Sequence, residues 1–128
     1  MIDASIAVEY LLRTSLGEAA SAHIDGATLA SPELLDAEVL AVLRRAVLQK
    51  QLTAQRAKQA LGDLAAWDIE RVSHRRLFDR AWKVRDNVSA YDAFYVATAA
   101  LYGAPLLTAE GPLSRAPRVG IIIHNVRS

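Results

Sequence analysis

Apolar positions along this chain fall into two alternating rhythms. Short runs at 27–30, 68–72, 105–108 and 120–126 have the length and residue types of strands, and the opening residues read as a very short strand as well. Between them lie longer stretches at 5–13, 16–25, 32 to about 50, 54–66, 74–86 and 90–102, with the residue make-up of helices. Local punctuation supports the division. Ser31-Pro32 is a helix start, with Ser as N-cap and Pro in the first turn, and Thr53, Ser73 and Ser89 are set to cap the helices that follow. Gly26 and Gly103 stand where helices should stop. Strands alternating with helices predict an α/β fold, a short and mostly parallel sheet covered on both faces.

The chain has 128 residues, of which 52% are hydrophobic. That is enough for one core and one domain spanning 1–128, and too apolar for a disordered chain. Cysteine is absent, which excludes disulfides and thiolate metal sites, and a reducing cytoplasm is the expected location. His23, His74 and His124 lack ligand spacing for zinc. No apolar run approaches the roughly 20 residues that cross a bilayer, and MIDASIAVEYLL does not read as a signal peptide. The net charge of +1 names no partner.

Four acids change that picture: Asp3, Glu38, Asp92 and Glu110 each lie in or just after an apolar run. Ligands of parallel α/β sheets bind beyond the carboxyl ends of the strands. Asp3 follows the first strand, Glu110 follows the strand ending at Thr108, and Asp92 opens the helix before that strand. Two unit charges about 5 Å apart at an effective dielectric near 20 repel by roughly 3 kcal/mol. A cluster of such groups calls for protons or a hard cation such as Mg2+ or Mn2+.

Each acid also has a purely structural explanation. Asp3 is placed to cap the helix that begins near Ser5, and Ser89-Ala90-Tyr91-Asp92 fits a capping box. Glu38 has Leu34, Leu35, Ala41 and Val42 as its helical neighbours, and Arg45 at i+7 is a possible ion-pair partner. Glu33 and Asp36 point away from that stripe, towards solvent. Glu110 lies in Thr108-Ala109-Glu110-Gly111-Pro112, a turn by composition. Hydroxyls of Ser5 and Thr108 fall near the same strand ends. Arg115 and Arg118 follow the acidic turn and suit a phosphate there, whereas Arg76, Arg80 and Lys83 read as a solvated helix face. Trp67, Trp82, Phe94 and Tyr95 read as core or interface aromatics.

Three stretches, IDASIAVEYLL, ASPELLDAEVLAVLRR and VSAYDAFYVATAALYGAPLLTAEGPLSRAP, resemble the PIN-domain ribonucleases, and among them the VapC-like toxins of toxin–antitoxin pairs. The likeness covers essentially the whole chain, and YDAFYVATAA followed by LLTAEG is its most specific part. It implies a three-layer α/β/α fold and a metal-dependent endoribonuclease, usually a homodimer, inhibited by a cognate antitoxin. It also implies Mg2+ or Mn2+ held chiefly by Asp3 and Asp92, with Glu38 and Glu110 completing the acids and Ser5 and Thr108 at the family's small hydroxyl positions. Two departures stand out: the fourth acid is usually Asp, and only Met1 and Ile2 precede Asp3, where relatives have a longer first strand.

The expected activity is hydrolysis of a structured RNA, with Arg115 and the basic stripe positioning its backbone. The alternative is a feebly active module that binds antitoxin or RNA, suggested by Glu110 in place of Asp. A receiver-like phosphoacceptor domain would need a lysine after the late strand, and none follows Thr108.

Overall fold

The computed structural model describes residues 1–109, 111–115 and 119–127. The first extended segment is only a bridge: Ile2 pairs in parallel with Leu107. Helix α1 (Ala4–Leu11) starts at once, because the Asp3 side chain accepts the Ile6 N–H. Helix α2 (Ser15–Ile24) is capped by Thr14, slightly earlier than the sequence suggested. Strand β1 (Leu29–Pro32) is followed by α3 (Leu34–Leu48), α4 (Ala54–Ala66) and β2 (Ile69–Val72). A single 3-10 turn (His74–Arg76) leads to α5 (Phe78–Lys83), then α6 (Ala90–Tyr102), β3 (Leu106–Thr108), α7 (Gly111–Ser114) and β4 (Ile123–Asn125).

All strand pairing among the described residues is parallel. β1 pairs with β2, Leu29 opposite Ile69 and Pro32 opposite Val72, and β3 pairs with β4, Leu106 opposite Ile123. The Ser31 hydroxyl donates to the Ile2 carbonyl at 3.0 Å and so ties β1 to the opening segment. Helix α6 packs against β1 and β3, while α1 packs against α2, α3 and β3. The result is the three-layer α/β/α class. Ile2, Ile6, Leu35, Val39, Val72, Tyr95 and Leu106 are among the most deeply buried side chains.

Two predicted helix starts fail for the same reason, competition from long-range pairing. Ser31 and Pro32 belong to β1 rather than to a helix cap, since the Glu33 N–H continues the ladder to the Val72 carbonyl at 3.1 Å. Helix α3 therefore begins later, and its Leu34 N–H donates to Nε2 of His74 at 3.0 Å. That same histidine stacks on Phe94 with ring centroids 4.3 Å apart. Residues 73–86 accordingly form a 3-10 turn and the short α5 instead of one helix, and Ser73 makes no side-chain cap. The last strand is confined to Ile123–Asn125. Of the aromatics, Tyr95 is core, whereas Trp82 is 68% exposed beneath the Arg85 guanidinium.

The crossing of α1 and α2 depends on a missing side chain. A Cβ on Gly17 would stand 2.1 Å from the Glu9 carbonyl oxygen. Gly17→Ala should lower stability by about 1–3 kcal/mol, the cost of overpacking. A reduced urea midpoint would show it; an unchanged midpoint would mean the two helices are free to separate.

Candidate active site

Asp3 sits where the opening segment turns into α1, and only 3% of it is exposed. Its Oδ1 accepts from the Ser5 hydroxyl at 2.5 Å and the Ile6 N–H at 3.2 Å. Its Oδ2 accepts from the Thr108 hydroxyl at 2.5 Å, a contact that spans 105 positions of the sequence. Burial pushes its carboxyl pKa upward; the Ser5, Thr108 and Ile6 bonds pull the other way, and the nearby charge of Asp92 adds to the rise. Ser5 does double duty, because its Oγ also accepts the Ala109 N–H at 3.0 Å.

Glu38 projects from α3 into half-buried surroundings. The Tyr95 hydroxyl donates to its Oε1 at 2.5 Å. Its pKa is raised mainly by burial, opposed by the Tyr95 bond, and raised further by the charges of Asp92 and Asp3. Burial and the bond to Glu38 in turn hold the Tyr95 hydroxyl far above the ordinary tyrosine range. Arg45 forms no ion pair with Glu38; seven residues along a helix is about 10 Å, and the tyrosine is closer.

Asp92 lies in the first turn of α6, where its N–H donates to Ser89 Oγ at 3.2 Å. The cap predicted from the sequence is therefore present. Burial also raises the Asp92 carboxyl, with a Ser89 hydrogen bond opposing.

Three acids from α3, α6 and the first turn thus sense one another's charge, and among the described residues no arginine or lysine pairs with any of them. Their oxygens are turned toward hydroxyls: among the described residues no three His, Asp or Glu side chains form a ready ligating group. Glu110 lies outside the described residues, as does Arg118. Arg115 is exposed just after α7, without a described partner. Asp36 is exposed, as expected, and also pairs with Arg71 at 3.1 Å, and Arg76 of the basic stripe lies 3.9 Å from Glu70.

Beside the acids opens a groove of about 610 Å³ whose lining includes Ser5, Glu38, Arg45, Tyr91, Ala109 and Arg127. Arg127 donates its Nε–H to the Ala109 carbonyl at 3.0 Å. Neither it nor the Tyr95 contact had any local signal in the sequence. The donor set is carboxylate oxygen with hydroxyls behind it and no imidazole bonded to it, which suits a hard divalent cation rather than zinc.

A family model described as PIN domain matches residues 1–119. Among curated proteins, the chain is similar to Ribonuclease VapC1 of Mycobacterium tuberculosis, 43% identical over 98 residues, which is 76% of this chain and 74% of that protein. Ribonuclease VapC9 of the same organism is 37% identical over 114 residues, covering 89% of this chain and 87% of the relative. Ribonuclease VapC12 is 30% identical over 115 residues, covering 90% and 89% respectively.

The raised pKa values make a pH prediction with a definite sign. Asp3, Glu38 and Asp92 all hold protons more tightly in the fold than free carboxyls do. Their contribution to stability is therefore full below the ordinary carboxylate range and is lost as pH rises through the raised values. A divalent cation should replace those protons. Mn2+ should raise the Tm more at about pH 7.5 than at about pH 5, and Asp3→Asn should remove most of that difference. Equal Tm gains at both pH values, in native and variant chains alike, would contradict it.

Proposed function

Because the chain belongs to the PIN-domain family, we propose that it is a Mg2+- or Mn2+-dependent endoribonuclease, the VapC-like toxin of a toxin–antitoxin pair. The observation that carries this reading is the set of three acids, Asp3, Glu38 and Asp92, with raised pKa values and no described cation partner. The names of the similar proteins, each a ribonuclease, support the reaction type.

In this scheme Asp3 and Asp92 hold the cation, and Glu110 assists at longer range. A bound divalent ion supplies Lewis acidity toward the phosphate and lowers the pKa of water. The remaining work belongs to the chain. Ser5 and Thr108 fix both oxygens of Asp3 and so set the direction of its free lone pairs. Tyr95 holds Oε1 of Glu38, which leaves Oε2 to orient the attacking water and accept its proton. A carboxyl raised by burial is a better base for that step than a free one.

The wider proposal is a single domain over 1–128, acting in the cytoplasm as a homodimer restrained by a cognate antitoxin. Among the described residues, no helix is long and apolar enough to cross a membrane.

A second reading, a feebly active module that binds RNA or antitoxin, rests on Glu110, where the family usually has Asp. The extra methylene moves a carboxylate by about a bond length, which matters to an octahedral Mg2+ site.

Asp3→Asn should reduce Mn2+-dependent cleavage of total RNA by at least about 100-fold while the far-UV circular dichroism stays native. That loss corresponds to the few kcal/mol expected of an ion's charge stabilisation. Undiminished cleavage by this variant would refute the scheme. Native protein and Glu110→Asp should differ by less than about tenfold; nuclease activity found in Glu110→Asp alone would establish the second reading.

A further inference from the structure

The metal chemistry leaves part of the groove beside the acids unused. Arg45 lies two turns beyond Glu38 on α3, lines the groove, and has no acid partner among the described residues. Arg127 reaches the same groove from the segment after β4; its Nε–H is given to Ala109, and its guanidinium pairs with Glu9 at 3.9 Å, longer than a hydrogen bond. Tyr91 precedes Asp92 in the chain, is 62% exposed, and its hydroxyl has no described hydrogen bond. Val42, Ala41 and Leu34 give the groove an apolar lining.

The combination is specific in its chemistry. Two guanidinium groups answer repeated negative charge, and an exposed aromatic face answers a flat ring. Single-stranded nucleic acid presents both in alternation, and proteins that bind it use cations with stacking platforms. At about 610 Å³ the groove has the size of a small-ligand cleft.

We infer that this groove carries the unpaired RNA strand next to the scissile bond, with Arg45 and Arg127 on its phosphates and Tyr91 stacked on a base. The inference rests on the ribonuclease reading and assigns the substrate path to these residues instead of Arg115 and the Arg76–Arg80–Lys83 stripe. Arg45 is about 10 Å from Glu38 along the helix, so it serves a phosphate beside the one being cut, not that phosphate itself.

The test is binding of a fluorescent single-stranded RNA oligonucleotide, and of the same sequence annealed as a duplex, to the full chain with Mg2+ in a Glu38→Gln background that holds cleavage off. The single strand should bind at least about tenfold tighter than the duplex. Tyr91→Ala should weaken it by about 5- to 100-fold, the range for one lost stacking contact, and Tyr91→Phe should not. Arg45→Gln should weaken binding and reduce the slope of log affinity against log salt by about 0.7, one phosphate contact. Native-like affinity and salt slope in both Tyr91→Ala and Arg45→Gln would overturn the inference, as would equal binding of duplex. If both variants keep RNA binding but escape inhibition by a cognate antitoxin, the groove is a protein seat; the inference falls and the nuclease reading stands. If the native chain neither binds nor cleaves RNA with Mg2+ or Mn2+, the nuclease reading itself fails and takes the groove assignment with it.

Discussion

The constraint on which this structure turns is the burial of one carboxylate, Asp3, without a counter-charge among the described residues. Moving an ionised carboxylate out of water costs several kcal/mol unless it is paired or hydrogen-bonded. Here two hydroxyls and one amide satisfy its oxygens, yet none of them neutralises it. Those bonds also do topological work. Thr108 reaches Asp3 across 105 residues of sequence, Ser5 holds Ala109, and the amino terminus donates to the Pro105 carbonyl at 2.9 Å. The opening segment and β3 are thus fastened together at the point where the charge is kept.

The same solution recurs at Glu38, which is satisfied by a tyrosine hydroxyl where an arginine was the obvious partner on the same helix. The distinction has consequences. A guanidinium would neutralise the carboxylate permanently and occupy both oxygens in a forked pair. A hydroxyl donates a single hydrogen, sets the carboxylate's direction and leaves its charge in place. Ser5, Thr108 and Tyr95 all act in this way, while the arginine–acid contacts described are made by other acids, Asp36, Glu70 and Glu9. Leaving these three acids without a cationic partner among the described residues is what the proposed metal site requires.

What could be read from the sequence follows the range of the interactions. The alternation of strands and helices was legible because periodicity is local, and so were the caps at Asp3, Thr53 and Ser89, whose partners lie three residues away. Ser31-Pro32 misled because the end of a strand and the start of a helix share that signature, and a ladder bond to Val72, 39 positions past Glu33, decides between them. The helix read over 73–86 was broken by His74, whose bond to Leu34 spans 40 residues. At Glu38 the apolar stripe revealed that a partner was needed, but not which; Tyr95 is 57 residues away. Arg127 left no trace in the pattern, since its place beside Ala109 depends on β4 pairing with β3.

The separation of Arg45 and Arg127 from the acids follows from the same electrostatics. An acidic centre repels a polyanionic substrate as surely as it attracts a metal ion, so an enzyme of this kind needs cations near the centre but not within it. At contact distance they would quench the carboxylates; more than a Debye length away, about 8 Å in physiological salt, their pull in open solvent would be screened. A groove wall preserves some of that pull, because charges at a partly buried surface are screened less. Arg45, about 10 Å along the helix from Glu38, lies just beyond that length, and Arg127 is held by the Ala109 carbonyl and, at 3.9 Å, by Glu9. In the ribonuclease reading proposed above, Arg45 has no acid partner among the described residues and Arg127 shares its charge only with Glu9 at 3.9 Å, so both would draw in a phosphodiester chain without displacing an ion held by the acids.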